Sequence, residues 1–187
     1  MVTLTDDWAV WEGDAWYVSN NVWGRRDLIN GTDYTQIATL DPDTFPNNVL
    51  FEWDWPQANR VLSYPELVIG SKPWERTEST IASLPVKVGD VRNIDLNYSL
   101  DWANNNQFNV AVEIWLTDTK DGMSESITDE VMFWLKSPWF NPGGSPVYSG
   151  SDAIGSYTVY HAESWGSNGN TYTALVYDQD QKDGVLD

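Results

Sequence analysis

The chain has 187 residues, enough for one domain with a substantial core, and sets 28 acidic residues against 10 basic ones, a formal net charge of −18. With no cysteine and a single histidine, His161, it offers no disulfide framework, thiolate metal site or Ser-His-Asp triad, and so few Lys and Arg argue against nucleic acid or an anionic membrane as partner. No apolar run approaches the roughly 20 residues that span a bilayer, and a 14% aromatic content is incompatible with disorder. The acids are scattered rather than gathered in a tail. Such a coat suits solubility in concentrated salt, where screening removes self-repulsion, so a halophilic source is expected. No basic-then-apolar signal sequence opens the chain at Met1.

Period-two alternation and turn clusters recur along the chain, and no 3.6-residue apolar period is sustained for roughly ten residues. An edge strand begins around Trp8, Val10 and Glu12, Gly13-Asp14 turns it, and Trp16 to Ser19 returns before Asn20-Asn21-Val22-Trp23-Gly24. Asp41-Pro42-Asp43 marks a loop between short strands. Phe51, Trp53 and Trp55 alternate with Glu52 and Asp54 until Pro56 stops that strand. Ser63 to Gly70 is another, and Ser71-Lys72-Pro73-Trp74 turns out of it. Ile94, Leu96, Tyr98 and Leu100 alternate with polar residues in a half-buried strand. A turn at Asn104-Asn105-Asn106, a strand at Asn109 to Leu116, a loop through Gly122 and a strand at Ile127 to Leu135 follow. Asn141 to Pro146 reads as a rigid loop. Ser156 to Ser164 and Thr171 to Asp178 are strands joined by the hairpin turn Gly166-Ser167-Asn168-Gly169. Short strands joined by turns, without repeat or linker, predict a single all-β domain over residues 1–187, a sandwich of two packed antiparallel sheets or a jelly roll.

The chemistry concentrates on two of these strands. Alternation puts Val131, Phe133 and Leu135 on one face of Ile127 to Leu135, and Glu130, Met132 and Trp134 on the other. In Asn109 to Leu116, Val110, Val112, Ile114 and Leu116 share one phase, while Ala111, Glu113 and Trp115 share the other. A lone Glu on an alternating strand is ordinarily its solvated face. Two of them, each among aromatics and opposite a β-branched core face, point instead to a wet, sugar-cleaving groove. Twelve tryptophans supply flat faces for pyranose rings or core filling; Trp8, Trp23, Trp74 and Trp134 stand beside polar or turn residues or in phase with Glu130. Asp178 to Gly184 does not make a calcium loop, because Lys182 occupies its fifth position. His161 reads as a surface residue of a late strand.

These segments together resemble glycoside hydrolase family 12, the retaining endo-β-1,4-glucanases on a β-jelly roll. The resemblance rests on Asp7-Trp8-Ala9 through Val18 to Gly24, Ser63 to Gly70 with Lys72-Pro73-Trp74 as in archaeal members, Asn109 to Glu113, and Glu130-Val131-Met132-Phe133-Trp134-Leu135. It implies Glu130 as nucleophile and Glu113 as the acid that hydrogen-bonds it, where the family more often has Asp. It implies Trp8, Asn21, Trp23, Trp74, Met132, Trp134 and Pro142 as glycan-binding residues. The expected partner is a β-glucan, with no cofactor or metal, in a secreted monomer. The family's general acid/base is a Glu on a late strand beyond a helix. Lys182 to Asp187 stand where that helix would begin, so the C-terminal helix, last strands and acid/base are expected to lie beyond this chain. A non-catalytic β-glucan-binding jelly roll is the alternative: the carboxyl pair favours the hydrolase, the missing acid the binder.

Overall fold

The computed structural model describes residues 1–74, 78–103, 107–120 and 126–186. They form thirteen strands and one 3-10 turn at Val88–Asp90, with no α-helix among the described residues. The predicted turn at Asn104-Asn105-Asn106 and the loop through Gly122 lie outside them. Two compact units make up the chain: Met1–Ser71 with Glu78–Pro85, and Lys72–Thr77 with Val86–Asp187.

The first unit holds two three-stranded antiparallel sheets. One runs β1 (Val2–Leu4), β4 (Thr35–Leu40), β5 (Leu50–Asp54); the other runs β2 (Val10–Glu12), β3 (Trp16–Ser19), β6 (Glu66–Ile69). Val18, Ala38 and Leu40 are fully enclosed between them, with Leu4, Trp11, Phe45, Phe51 and Leu67 packed around. Of the predicted Phe51-Trp53-Trp55 face, Phe51 joins this core and Trp53 stays 41% exposed. Trp55 lies past the strand end and stacks on Tyr34 at 3.7 Å. Its indole N–H donates to Gln36 Oε1 at 3.0 Å, and Gln36 Nε2 donates to Asn20 Oδ1 and to the Asn21 carbonyl. Gln36 is buried, and these bonds meet the requirement that enclosed polar groups be paired.

The second unit is built on a five-stranded sheet in the order β10 (Ser145–Ser151), β11 (Ser156–Trp165), β12 (Asn170–Tyr177), β9 (Ile127–Lys136), β8 (Val110–Thr117). All its pairs are antiparallel except β9–β12, which is parallel. A two-stranded sheet joins β7 (Leu96–Ser99) to β13 (Asp183–Leu186). Leu135, Tyr177 and Leu186 form the core, with Leu96, Val112, Phe133 and Tyr157 against it. Two elements differ from the sequence reading. Asp183–Leu186, where the resemblance puts the start of a helix, form strand β13. It is fixed by pairing with β7 and by Lys182 Nζ donating to Asp101 at 2.6 Å. Ser145 and Pro146, read as the end of a loop, open the edge strand β10, with a register shift between Pro146 and Tyr148, as expected where proline enters an edge strand.

Candidate active site

On β9 the alternation read from sequence holds. Phe133 and Leu135 enter the core of the second unit, which leaves Glu130, Met132 and Trp134 on the opposite face. On β8, Trp115 lies opposite Glu130 and Glu113 opposite Met132. The two glutamates are therefore diagonal neighbours on one face, within reach of each other's side chains. Their carboxyls are hydrogen-bonded.

Electrostatics assigns the proton. Burial raises the pKa of both carboxyls. For Glu113 the charge of Glu130 and the hydrogen bond to it add to burial and push it up to about 8, against the opposing pull of the Lys72 cation and the Trp115 indole. For Glu130 burial dominates, and the bond from Glu113 opposes it. Glu113 thus holds the proton and donates to a Glu130 carboxylate. Lys72 is buried, with Nζ 5.1 Å from the Trp74 ring centroid, and Trp74 meets Trp115 edge to face at 4.6 Å. The Trp115 N–H has no partner at strict hydrogen-bonding geometry, yet lies near enough to Glu113 to favour its ionised form.

Glu130 opens on a cleft of about 320 Å³ walled by Trp74, Trp115 and Ile127 on one side and by Trp165, Asn168 and Asn170 on the other. Of the residues expected to bind glycan, Trp74 is there and 43% exposed. Met132 and Trp134 share the Glu130 face but are enclosed, at 4% and 2% exposure. The Trp134 indole N–H and the Tyr172 hydroxyl both donate to Met132 Sδ at 3.5 Å. These two side chains back the carboxylate and offer no ring face to a ligand. Pro142 lies in the loop whose Gly143 abuts Trp165: a Cβ there would come 2.2 Å from Trp165 Cη2.

The other expected residues lie in the first unit. Trp8, 44% exposed, has φ of 63° and donates its backbone N–H to the Asn20 carbonyl. Asn21 is buried; its amide donates to Glu66 Oε1 at 2.9 Å and its Oδ1 accepts from the Trp23 N–H at 3.0 Å. Trp23 is 57% exposed. His161, expected at the surface, is half-buried on β11 with Nδ1 3.1 Å from Thr173 Oγ1. Among the described residues no group of three or more His, Cys, Asp or Glu could hold a metal.

Trp165 and Asn170 escaped the sequence reading. Strict alternation along β11 places Trp165 in phase with His161, away from Tyr172, and an irregularity in the ladder reverses that phase. The one signal in the sequence was a large indole bordering a predicted Gly-Ser-Asn-Gly turn.

Two carboxyls, hydrogen-bonded on a sheet face beside a tryptophan-walled cleft, mark the candidate active site of an all-β protein. The sequence carries the comparison further. The chain belongs to glycosyl hydrolase family 12, whose family model matches residues 14–181. It is 27% identical over 164 residues to Endoglucanase S of Pectobacterium parmentieri, a match covering 87% of this chain and 60% of that protein's length. Its fold is similar to that of a family 12 xyloglucanase from Bacillus licheniformis, with a TM-score of 0.85, 25% identity, and coverage of 100% of this chain and 79% of that one. Endoglucanase cel12A from Rhodothermus marinus has the same fold, with a TM-score of 0.80, 23% identity, and coverage of 98% and 77%. The fold is a β-jelly roll.

Proposed function

We propose that this chain carries the nucleophile face of an endo-acting, retaining β-1,4-glucan hydrolase that needs no cofactor. Its substrates are cellulose-like, mixed-linkage or xyloglucan chains, and the similarity to the Bacillus licheniformis xyloglucanase at 25% identity supports the last. The observation that carries the reading is the Glu113–Glu130 hydrogen bond on a face opening to three tryptophans. A pure binder gains little from burying two acids against each other.

In this reading the Glu130 carboxylate attacks the anomeric carbon and the glycosidic C–O bond breaks. The leaving oxygen takes a proton from a general acid, and a glycosyl ester remains on Glu130 for water to hydrolyse. Glu113 donates its proton to Glu130, which orients the nucleophile and moderates its basicity. The general acid is a further carboxyl, since Glu130 is the only carboxylate among the described lining residues. Trp74, exposed at the cleft, supplies a stacking face there; within the first unit the exposed indoles of Trp8 and Trp23 offer stacking faces of their own. The chain acts as one hydrolase domain, a monomer secreted into a saline medium.

An activated fluoroglycoside, 2,4-dinitrophenyl 2-deoxy-2-fluoro-β-cellobioside, isolates the attack step because its leaving group departs without protonation. Mass spectrometry should find one fluorocellobiosyl group on the peptide carrying Glu130, and Glu130→Gln should slow labelling at least about a thousandfold. Absence of label, or label elsewhere, overturns the assignment. The single carboxylate in the described lining favours one second reading, a non-catalytic β-glucan binder. Oligosaccharide binding by calorimetry without labelling of Glu130 would establish it.

A further inference from the structure

We propose that Trp165, on the β11–β12 hairpin, is a pyranose-stacking platform of the Glu130 cleft and sets how tightly longer β-linked glucose chains are held. The proposal rests on the glucan reading of Glu130 and adds to it a residue outside the segments that carry the family resemblance. It starts from a defect in the ladder. β11 and β12 pair at Ala162 and Tyr172, and next at Trp165 and Asn170. Two residues, Glu163 and Ser164, thus face the single Thr171, and Ser164 takes φ of 59°. An extra residue of this kind flips every later side chain to the other face of its strand. Trp165 leaves the phase of His161 and arrives on the face of Tyr172. Tyr172 is the parallel partner of Glu130, so the bulge delivers an indole to the nucleophile's face.

The ring is held there from two sides. Its centroid lies 4.9 Å from that of Tyr172 at an interplanar angle of 31°, and the Gly143 backbone approaches too closely to admit a Cβ. It remains 38% exposed all the same and lines the cleft. A large aromatic ring that is immobilised by packing yet open on the cleft side loses little conformational entropy when a flat apolar ligand covers it. Ser167, Asn168 and Asn170 continue the same wall and supply the hydroxyl and amide groups that a sugar's equatorial hydroxyls require. Across the cleft stand Trp74 and Trp115 on the β8 side, with Glu130 on the strand between. A glucose unit at the nucleophile therefore has an indole wall on each flank, and a chain extending over the hairpin meets Trp165.

The test is calorimetric titration of the Glu130→Gln chain with cellobiose through cellohexaose, with and without changes at position 165. Trp165→Ala should weaken binding of the longer oligosaccharides by about tenfold or more and leave cellobiose less affected. Trp165→Phe, which keeps a flat ring, should retain most of the affinity. Undiminished affinity in Trp165→Ala overturns the proposal while the glucan reading stands. Equal losses in both variants together with lowered melting temperatures assign Trp165 a packing role and overturn it too. If the Glu130→Gln chain binds no cello-oligosaccharide and the native chain takes no fluoroglycoside label, the glucan reading fails and this proposal falls with it.

Discussion

Glu113 and Lys72 show how far a single charge reaches when water is excluded. The Lys72 cation lowers the pKa of Glu113, against burial and the neighbouring Glu130 charge. Lys72→Met removes the charge at nearly constant volume, so the pair ionises less readily. The acidic limb of the pH profile for Glu130 labelling should move to higher pH, and Lys72→Arg should restore it. A profile that does not move reduces Lys72 to a packing residue. The same shift affects stability. An unfolded Glu ionises near pH 4.3, whereas folded Glu113 keeps its proton up to about pH 8. Between those values the folded chain holds the extra proton, so this group's contribution is fully present below the unfolded pKa and is lost as pH rises through the folded one. Glu113→Gln retains an N–H donor toward Glu130 and takes no charge. Its urea midpoint should therefore fall less between about pH 5 and 8 than that of the native chain.

Among the elements, those legible in the sequence are the ones whose side chains alternate cleanly. β3 was read at Trp16 to Ser19 as observed, and β9 and β12 within a residue or so, because one face of each is apolar and buried. β10 and β13 carry no such pattern. β10 is exposed along most of its length, and β13 has four residues of which only Leu186 is buried. Pairing with β11 and β7, not intrinsic preference, makes them strands. The polar layer of the first unit was equally hidden, since no local pattern announces that Gln36 will be enclosed. Gln36→Leu would leave Asn20 Oδ1, the Asn21 carbonyl and the Trp55 indole N–H without their partner. A destabilisation of about 2–5 kcal/mol in urea unfolding is expected, and a change below about 1 kcal/mol would mean that water replaces the amide.

At the scale of the whole molecule the charge of −18 dominates. Repulsion among carboxylates opposes compaction, and the Debye length falls from about 10 Å at 0.1 M salt to about 3 Å at 1 M. The melting temperature should climb as sodium chloride is raised from about 0.1 M to 2 M. A flat or falling curve would remove the case for a high-salt habitat. Alternation along β8 and β9 sufficed to put Glu113 and Glu130 on one face, because a regular strand presents its side chains with period two whatever surrounds it. The all-β class followed for the same reason. That Glu113 keeps its proton, that Met132 and Trp134 are closed off, and that Trp165 crosses to the nucleophile's side came from the folded chain. The first two depend on burial and partner charges contributed by segments far away in sequence, and the third on a one-residue bulge in the β11–β12 ladder; a strict period of two encodes none of these.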